Sequence, residues 1–303
     1  MLINTNARSL CPKLDSLIDC VDELGVDIAI VTETWFKSGP ELEQQLSDPE
    51  LGFGLKALTL DRDPNPTTGV SHGGVAVFYK KKIDSFKVIL DYPNPEKFEV
   101  LPVVGTILGT SRKVVVIAAY LPPNYTVPRG RSCLEHLENL LIEVKRRFND
   151  PYIVLAGDYN QWPAEDAVAE FPDVSEVIVG PTRGDRSIDR IFCNMLRSVT
   201  SSGMVPPLDS GHSTSDHKIA YVKIKIQRQQ TYEWLTYTIQ SLYGGGQEGL
   251  WDVAGYPELD RRLVRLWARC QSPGLSGPHR RCHGHFLSLA YDSPQVHGSP
   301  VAE

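Results

Sequence analysis

Paired cysteines, a basic excess, long apolar runs and internal repeats are all missing from this chain of 303 residues. Cys11, Cys20, Cys133, Cys193, Cys270 and Cys282 are scattered, with no CxxC pair. In a chain of this length they read as reduced thiols rather than as a disulfide framework. Lysine and arginine (31) are outnumbered by aspartate and glutamate (37), so the formal net charge is -6. That argues against a protein that coats nucleic acid by bulk charge, although a local basic rim on an enzyme is still allowed. It also suits a site rich in carboxylates for a hard cation. No run approaches the ~20 apolar residues of a membrane-crossing helix. Met1-Leu2-Ile3-Asn4 has neither the basic start nor the apolar stretch of a secretory signal. A soluble, intracellular protein is the expectation.

What is present is ordinary globular material, 41% hydrophobic and 22% charged, enough for a sizeable core. Short apolar runs alternate with amphipathic stretches, the pattern of an α/β domain. A helix is expected from about Pro12 to Leu24, with Leu14, Leu17, Ile18, Val21 and Leu24 on one face and Gly25 as its stop. A second helix is expected from Arg131 to Phe148. Buried strands are read at 27–31, 73–79, 114–120 and 152–156. Further strands are read at 86–90, 98–108, 188–193 and 218–226. Near Gln227 the texture changes. A helix can still form from Thr231 to Leu242, but Gly244-Gly245-Gly246 and a Pro/Gly/Ser/His-rich end follow. A domain spanning 1–227 and an irregular, partly disordered tail over 228–303 are expected.

Four polar pieces stand at or just beyond the ends of apolar runs, where layered α/β folds assemble their sites. Asn4-Thr5-Asn6 is the first. Glu33, after Ile28-Ala29-Ile30-Val31-Thr32, is costly at the end of so apolar a strand unless water or a cation compensates it. It reads as a Mg²⁺ ligand or as a turn-capping glutamate. Asp158 and Asn160 follow Ile153-Val154-Leu155-Ala156-Gly157, either as an Asx-turn or as a pair in which the aspartate transfers a proton and the amide orients it. The last piece joins Ser187-Ile188-Asp189 with Ser215-Asp216-His217, in which Asp189 is the candidate partner of a histidine poised near neutral pH. A serine-hydrolase arrangement is the weaker reading: there is no GxSxG elbow, and Ser215 stands only two residues from His217. His72, His212 and the Cys282-His283-Gly284-His285 cluster read as exposed, the cluster lacking paired zinc-ligand spacing.

Seven segments in order resemble the endonuclease/exonuclease/phosphatase superfamily, and within it the apurinic-type endonuclease domain of non-LTR retrotransposons. They are INTNARSL (3–10), DIAIVTETW (27–35), GGVAVFYK (73–80), AAYLPPN (118–124), VLAGDYN (154–160), GPTRGDRSIDRIF (180–192) and STSDHKIAYVKI (213–224). The resemblance implies a four-layer α/β sandwich of two packed β-sheets flanked by helices. It implies an Mg²⁺-dependent endonuclease (Mn²⁺ is a possible substitute) that nicks one strand of DNA and leaves a free 3′-hydroxyl, and a nuclear location. Position by position, Glu33 would bind the metal with Asp216 and Asn6 near it. Asn6 stands where the repair branch often has Asp. Asn4 would contact the scissile phosphate or its water, and Tyr120 would donate to phosphate. Asp158 would transfer a proton with Asn160 orienting it, Asp189 would hold His217, and Thr182 would shape the cleft. In the retroelements a reverse transcriptase follows; the Arg-rich stretch around Arg261, Arg262, Arg265 and Arg269 and the remaining tail do not resemble one. Two rival readings stay open: the same chemistry on RNA or lipid phosphates, and an inactive DNA-binding remnant.

Overall fold

The computed structural model describes residues 1–36, 55–63, 72–80, 83–89, 92–107, 112–177 and 179–226. Expectations for the tail, including the helix at 231–242, the arginine stretch and the Cys282–His285 cluster, lie outside the described residues. Two six-stranded sheets face one another. The first has the order β11-β12-β1-β2-β4-β3, built from β1 (Leu2–Asn6), β2 (Ile28–Thr32), β3 (Leu55–Leu60), β4 (Val75–Lys80), β11 (Val199–Val205) and β12 (Ile219–Ile224). The second has the order β5-β6-β7-β8-β10-β9, built from β5 (Ile83–Val88), β6 (Glu99–Ile107), β7 (Lys113–Tyr120), β8 (Tyr152–Asp158), β9 (Ser175–Glu176) and β10 (Asp189–Cys193).

Each sheet contains one parallel pair among its described strands, β1 with β2 and β7 with β8, and the other pairings are antiparallel. Parallel neighbours need a crossover. Helix α1 (Leu14–Glu23) lies between the first pair in sequence and helix α2 (Val127–Arg147) between the second. Each helix covers the outer face of its own sheet. Leu14, Leu17, Ile18 and Val21 of α1 pack with Ile3, Ala29, Val31 and Phe78. Leu134, Leu137, Leu141 and Val144 of α2 pack with Val115, Ile117, Ile153 and Leu155. Both faces of the central strands are therefore dry, which is why they read as unbroken apolar runs. The expected four layers are present.

Strand parity sets the site. Side chains alternate across a strand, and Leu2, Ile28, Ile30, Ala118, Val154, Ala156, Ile191 and Ala220 all pack into the core between the sheets. Continuing that alternation puts Asn4, Asn6, Tyr120, Asp158 and Asp189 on the same inner faces. The core is apolar along most of its length and becomes polar where the two parallel pairs end. Each fully buried Leu, Ile, Val or Phe contributes roughly 1.5–3 kcal/mol, and this apolar bulk offsets the cost of burying five polar side chains at one end.

Helix α2 begins four residues before its expected start, with a proline in its first turn where no intrahelical donor is needed. The strands β1, β3, β9 and β11 add to those expected from hydrophobic patterning. Among the described residues the four cysteines are free thiols, as expected, and no helix is long and apolar enough to cross a membrane.

Gly157, one residue before Asp158, lies against β7 so closely that an added Cβ would meet the Ala119 carbonyl oxygen. Gly157→Ala is expected to destabilise the fold by about 2–3 kcal/mol, the cost of an overpacked core. Urea unfolding checks this through a lowered midpoint at unchanged slope; a midpoint equal to wild type would contradict the close approach.

Candidate active site

Asn6, the last residue of β1, is fully buried. Its amide nitrogen donates to Glu33 Oε1 at 2.9 Å and to Asp158 Oδ2 at 2.8 Å. Glu33 and Asp158 belong to different sheets, so this one amide spans the gap between them. Its oxygen accepts the Arg8 backbone N–H at 3.0 Å. Asn6 thus reaches the expected metal position through Glu33.

Glu33 follows β2 directly and has a left-handed backbone, φ 51°. For a residue with a side chain this costs roughly 1–2 kcal/mol, and its neighbours hold it there. Ser9 N–H donates to the Glu33 carbonyl at 2.9 Å, and Leu10 N–H to that of Thr34 at 3.0 Å. On the other side, Trp35 N–H donates to the Gly73 carbonyl at 2.9 Å. The Glu33 carboxylate accepts a second hydrogen bond on Oε1, from the Tyr120 hydroxyl at 2.7 Å. Burial, then the charge of Glu33 and its hydrogen bond, push the Tyr120 phenol far above its ordinary range. It remains a donor at any physiological pH.

Asp158 ends β8 with no exposed surface, and its Oδ1 accepts the Asn160 N–H at 2.9 Å. The Asn160 amide in turn donates to the Leu121 carbonyl at 3.0 Å. Asp189 begins β10 and stands opposite Asp158 in the antiparallel register. Two carboxylates so placed repel. Burial and the Asp189 charge push the Asp158 carboxyl well above the usual range, against the opposing pull of His217, Asn6 and the Asn160 N–H. A carboxyl that titrates nearer neutrality suits proton transfer in either direction.

Asp189 Oδ2 lies 2.7 Å from His217 Nδ1, both residues being buried, and fixes which ring nitrogen faces away. Burial lowers the His217 pKa, but the hydrogen bond and charge of Asp189, with Asp158 and Asp216, outweigh it and raise it overall. Thr182 Oγ1 accepts the Asp189 backbone N–H at 3.1 Å, so Thr182 positions the strand start. Ser215 Oγ donates to the Asn6 carbonyl at 2.6 Å and accepts the His217 N–H at 3.1 Å. The serine is a pin between β1 and the histidine, in agreement with the weakness of a serine-nucleophile reading. Ligand atoms of Asp158, Asp189 and His217 lie within 4.8 Å of one another, a buried acidic and histidine cluster able to hold a metal ion. Asp189 Oδ1 is buried there with no hydrogen-bond partner.

The remaining expected residues sit less centrally. Asn4 is fully buried, and its amide donates to the Gly157 carbonyl at 3.2 Å, with the Arg190 carbonyl at 3.5 Å. It braces the second sheet directly behind Asp158, and its donors are spent on backbone. Asp216 is partly exposed, 3.9 Å from His217 Nε2, and ion-paired with Arg8 at 3.2 Å and Arg183 at 2.7 Å. Burial, the largest single influence, would raise its carboxyl; His217 and those two guanidinium groups together hold it below the ordinary range. His72 and His212 are exposed, as expected. Sequence reasoning misses Arg8, Arg183, Arg62 and Glu99. For Glu99 a signal exists, a lone carboxylate opening the apolar run 100–104.

Residues 1–217 match the endonuclease/exonuclease/phosphatase family. The chain belongs to that family. Among solved structures, its fold is similar to that of an AP endonuclease from Archaeoglobus fulgidus, with 14% identity and a TM-score of 0.51 over 75% of this chain and 100% of that one. It is similar to the endonuclease domain of TRAS1, a telomere-specific non-LTR retrotransposon, with 13% identity and a TM-score of 0.52 over 75% and 98%. It is also similar to a humanized TDP2 from D. rerio, with 17% identity and a TM-score of 0.53 over 74% and 98%. At such identities the likeness is one of fold. No curated protein sequence matches the chain. The family assignment agrees with the resemblance read from the seven motifs.

Because the His217 pKa is raised in the folded state, its contribution to stability is fully present below its unfolded value of about 6.5 and is lost as pH rises through the folded value. The stability difference between wild type and His217→Gln, followed by Tm from pH 5 to 9, is expected to be largest at the acid end and to shrink on the alkaline side. A difference that grows with pH would contradict the ion pair.

Proposed function

We propose that this family member is a Mg²⁺-dependent endonuclease that hydrolyses one phosphodiester bond of a DNA strand, as in retrotransposon target-site cleavage. The observation that carries the reading is the meeting of the Glu33–Tyr120–Asn6–Asp158 hydrogen-bonded set with the Asp189–His217 couple at one end of the core. A divalent cation fits this donor set. Carboxylate oxygens suit a hard ion, and the Asp158–Asp189–His217 cluster holds one buried carboxylate oxygen, Asp189 Oδ1, that no hydrogen bond satisfies. Glu33 would hold the ion, with Asp216 near it, and Asn6 would hold Glu33. Mg²⁺, or Mn²⁺ in its place, supplies charge neutralisation on the phosphate oxygens when bound.

The chain's own residues do the rest. Asp158 accepts a proton from the attacking water and returns it to the leaving 3′ oxygen. Its hydrogen bond from the Asn160 N–H keeps the carboxylate aimed, and its raised pKa suits both steps. The new P–O bond forms to water as the P–O3′ bond breaks, giving a 3′-hydroxyl and a 5′-phosphate. Protonated His217, held by Asp189, and the Tyr120 phenol donate to phosphate oxygens on which charge builds. Asn4 contributes by bracing the strand that carries Asp158. DNA as substrate, and with it a nuclear location, is supported by the TETW, TRG…SID and SDHK motifs. Arg8 and Arg183, both paired with Asp216 next to His217, provide a local basic rim on an otherwise acidic chain. The domain is taken to span 1–227.

Purified protein is expected to convert supercoiled plasmid to open circles in Mg²⁺ and to lose that activity in EDTA. Asp158→Ala and His217→Ala should each lower the rate by at least about 100-fold with unchanged circular dichroism. Wild-type rates in both variants would overturn the site. Turnover of phosphoinositides or RNA without plasmid nicking would replace the substrate and leave the chemistry.

A further inference from the structure

Glu99 opens β6 and is buried, an unusual place for a carboxylate outside the catalytic set. It stands directly opposite Tyr120 in the β6–β7 register. Its Oε2 accepts the Gly74 backbone N–H at 2.6 Å, and its Oε1 accepts the Arg62 Nε–H at 2.6 Å. Arg62 also donates to the His72 carbonyl, and its guanidinium lies over the Tyr120 ring, 5.7 Å from the centroid. Packing at the two glycines is tight. A Cβ on Gly73 would sit 2.5 Å from Arg62 Nε and 2.6 Å from Glu99 Oε2; one on Gly74 would sit 2.5 Å from Thr34 Oγ1.

The same two glycines carry the backbone beside Glu33. The Gly73 carbonyl accepts Trp35 N–H at 2.9 Å and the Gly74 carbonyl accepts Thr34 N–H at 3.4 Å. Glu99 comes from the second sheet, whereas Gly74 leads into β4 of the first. A continuous chain of contacts therefore runs from Glu99 through Gly73-Gly74 to Thr34 and Trp35, the two residues that follow Glu33 with its φ of 51°. From the other side, Arg62 rests on the ring whose hydroxyl binds Glu33.

We propose that Arg62 and Glu99 are positioning residues for the metal: they clamp the Gly73-Gly74 segment and Tyr120, and so hold the Glu33 carboxylate where a divalent cation is bound. The inference rests on the reading of Glu33 as a metal ligand. A salt bridge kept only for stability would leave ion affinity untouched; this one sets it. Glu99→Gln keeps an acceptor for Gly74 N–H and loses the charge that holds Arg62, so it is the milder change. Arg62→Lys keeps the charge and loses the fork that reaches both Glu99 and the His72 carbonyl.

The test is Mn²⁺ binding by the full chain, followed by electron paramagnetic resonance without substrate, alongside the Mg²⁺ dependence of plasmid nicking. Arg62→Ala and Glu99→Ala are expected to raise the Mn²⁺ Kd about tenfold, and Arg62→Lys and Glu99→Gln by less. Nicking by the alanine variants should need more Mg²⁺ but approach the wild-type rate at saturation. Should Glu99→Ala not fold, Arg62→Ala, made at a side chain already 31% exposed, carries the test. Glu33→Ala separates the two levels. If it binds Mn²⁺ like wild type, the ligand reading itself has failed. If it loses Mn²⁺ while Arg62→Ala and Glu99→Ala bind normally, or show only a lowered Tm, the clamp is refuted.

Discussion

One amide nitrogen, that of Asn6, is shared by two carboxylates from facing sheets, and the rest of the site depends on that sharing. Glu33 and Asp158 each approach a core from which water is excluded, where an unpaired polar group costs about 1–3 kcal/mol and a charge more. A donor between them converts part of that cost into a hydrogen-bonded bridge. Other side chains make the same crossing at the same end, among them Asn4 to the Gly157 carbonyl, Tyr120 to Glu33, Glu99 to the Gly74 N–H and His217 to Asp189. The two sheets are held together by apolar packing over most of their area and by these directional bonds where the chemistry sits. A bonded set of this kind fixes geometry in a way apolar packing does not.

The electrostatics follow from the same crowding. Asp158 is buried and faces Asp189 across one strand pair, so its proton is held more tightly than that of an ordinary carboxylate. The neighbouring histidine responds in the complementary direction, its positive form favoured by Asp189 and Asp158. Both shifts favour the protonated form of their group. Burial alone would have raised one and lowered the other toward inert neutral forms. The carboxylate–imidazole contact is what keeps the pair responsive.

Much of this is legible in the sequence, and the physical reasons can be named. The segments 28–31, 114–120 and 153–157 are buried on both faces, so they appear as unbroken apolar runs whose ends can be located within a residue or two. Glu33, Asp158 and Asp189 stand out because a charge at such an end must be compensated by a cation, a donor or water. β1 escapes hydrophobic patterning because Asn4, Thr5 and Asn6 are all fully buried yet polar. β11, VTSSGMV, lies at a sheet edge and shows the same weakness. The inward aim of Asn4 and Asn6 needs strand parity, which becomes available only once Leu2 is known to face the core. Arg62 and Glu99, 37 residues apart, meet only in the folded chain, and no local pattern announces such a pair. Family resemblance places Asn6 near the metal, and its oxygen accepts the Arg8 N–H while its nitrogen donates to Glu33 and Asp158. Hydrogen-bond direction of that kind is invisible in sequence.

The chemistry proposed for this arrangement makes a definite statement about which bond breaks. Attack by water at phosphorus with departure of the 3′ oxygen leaves a terminus that a polymerase can extend. The most direct measurement is therefore on nicked plasmid taken from the reaction and offered to a DNA polymerase with one labelled nucleotide set. Incorporation without any prior phosphatase treatment is predicted. Nicks that accept label only after a 3′-phosphate has been removed would contradict the account at its centre.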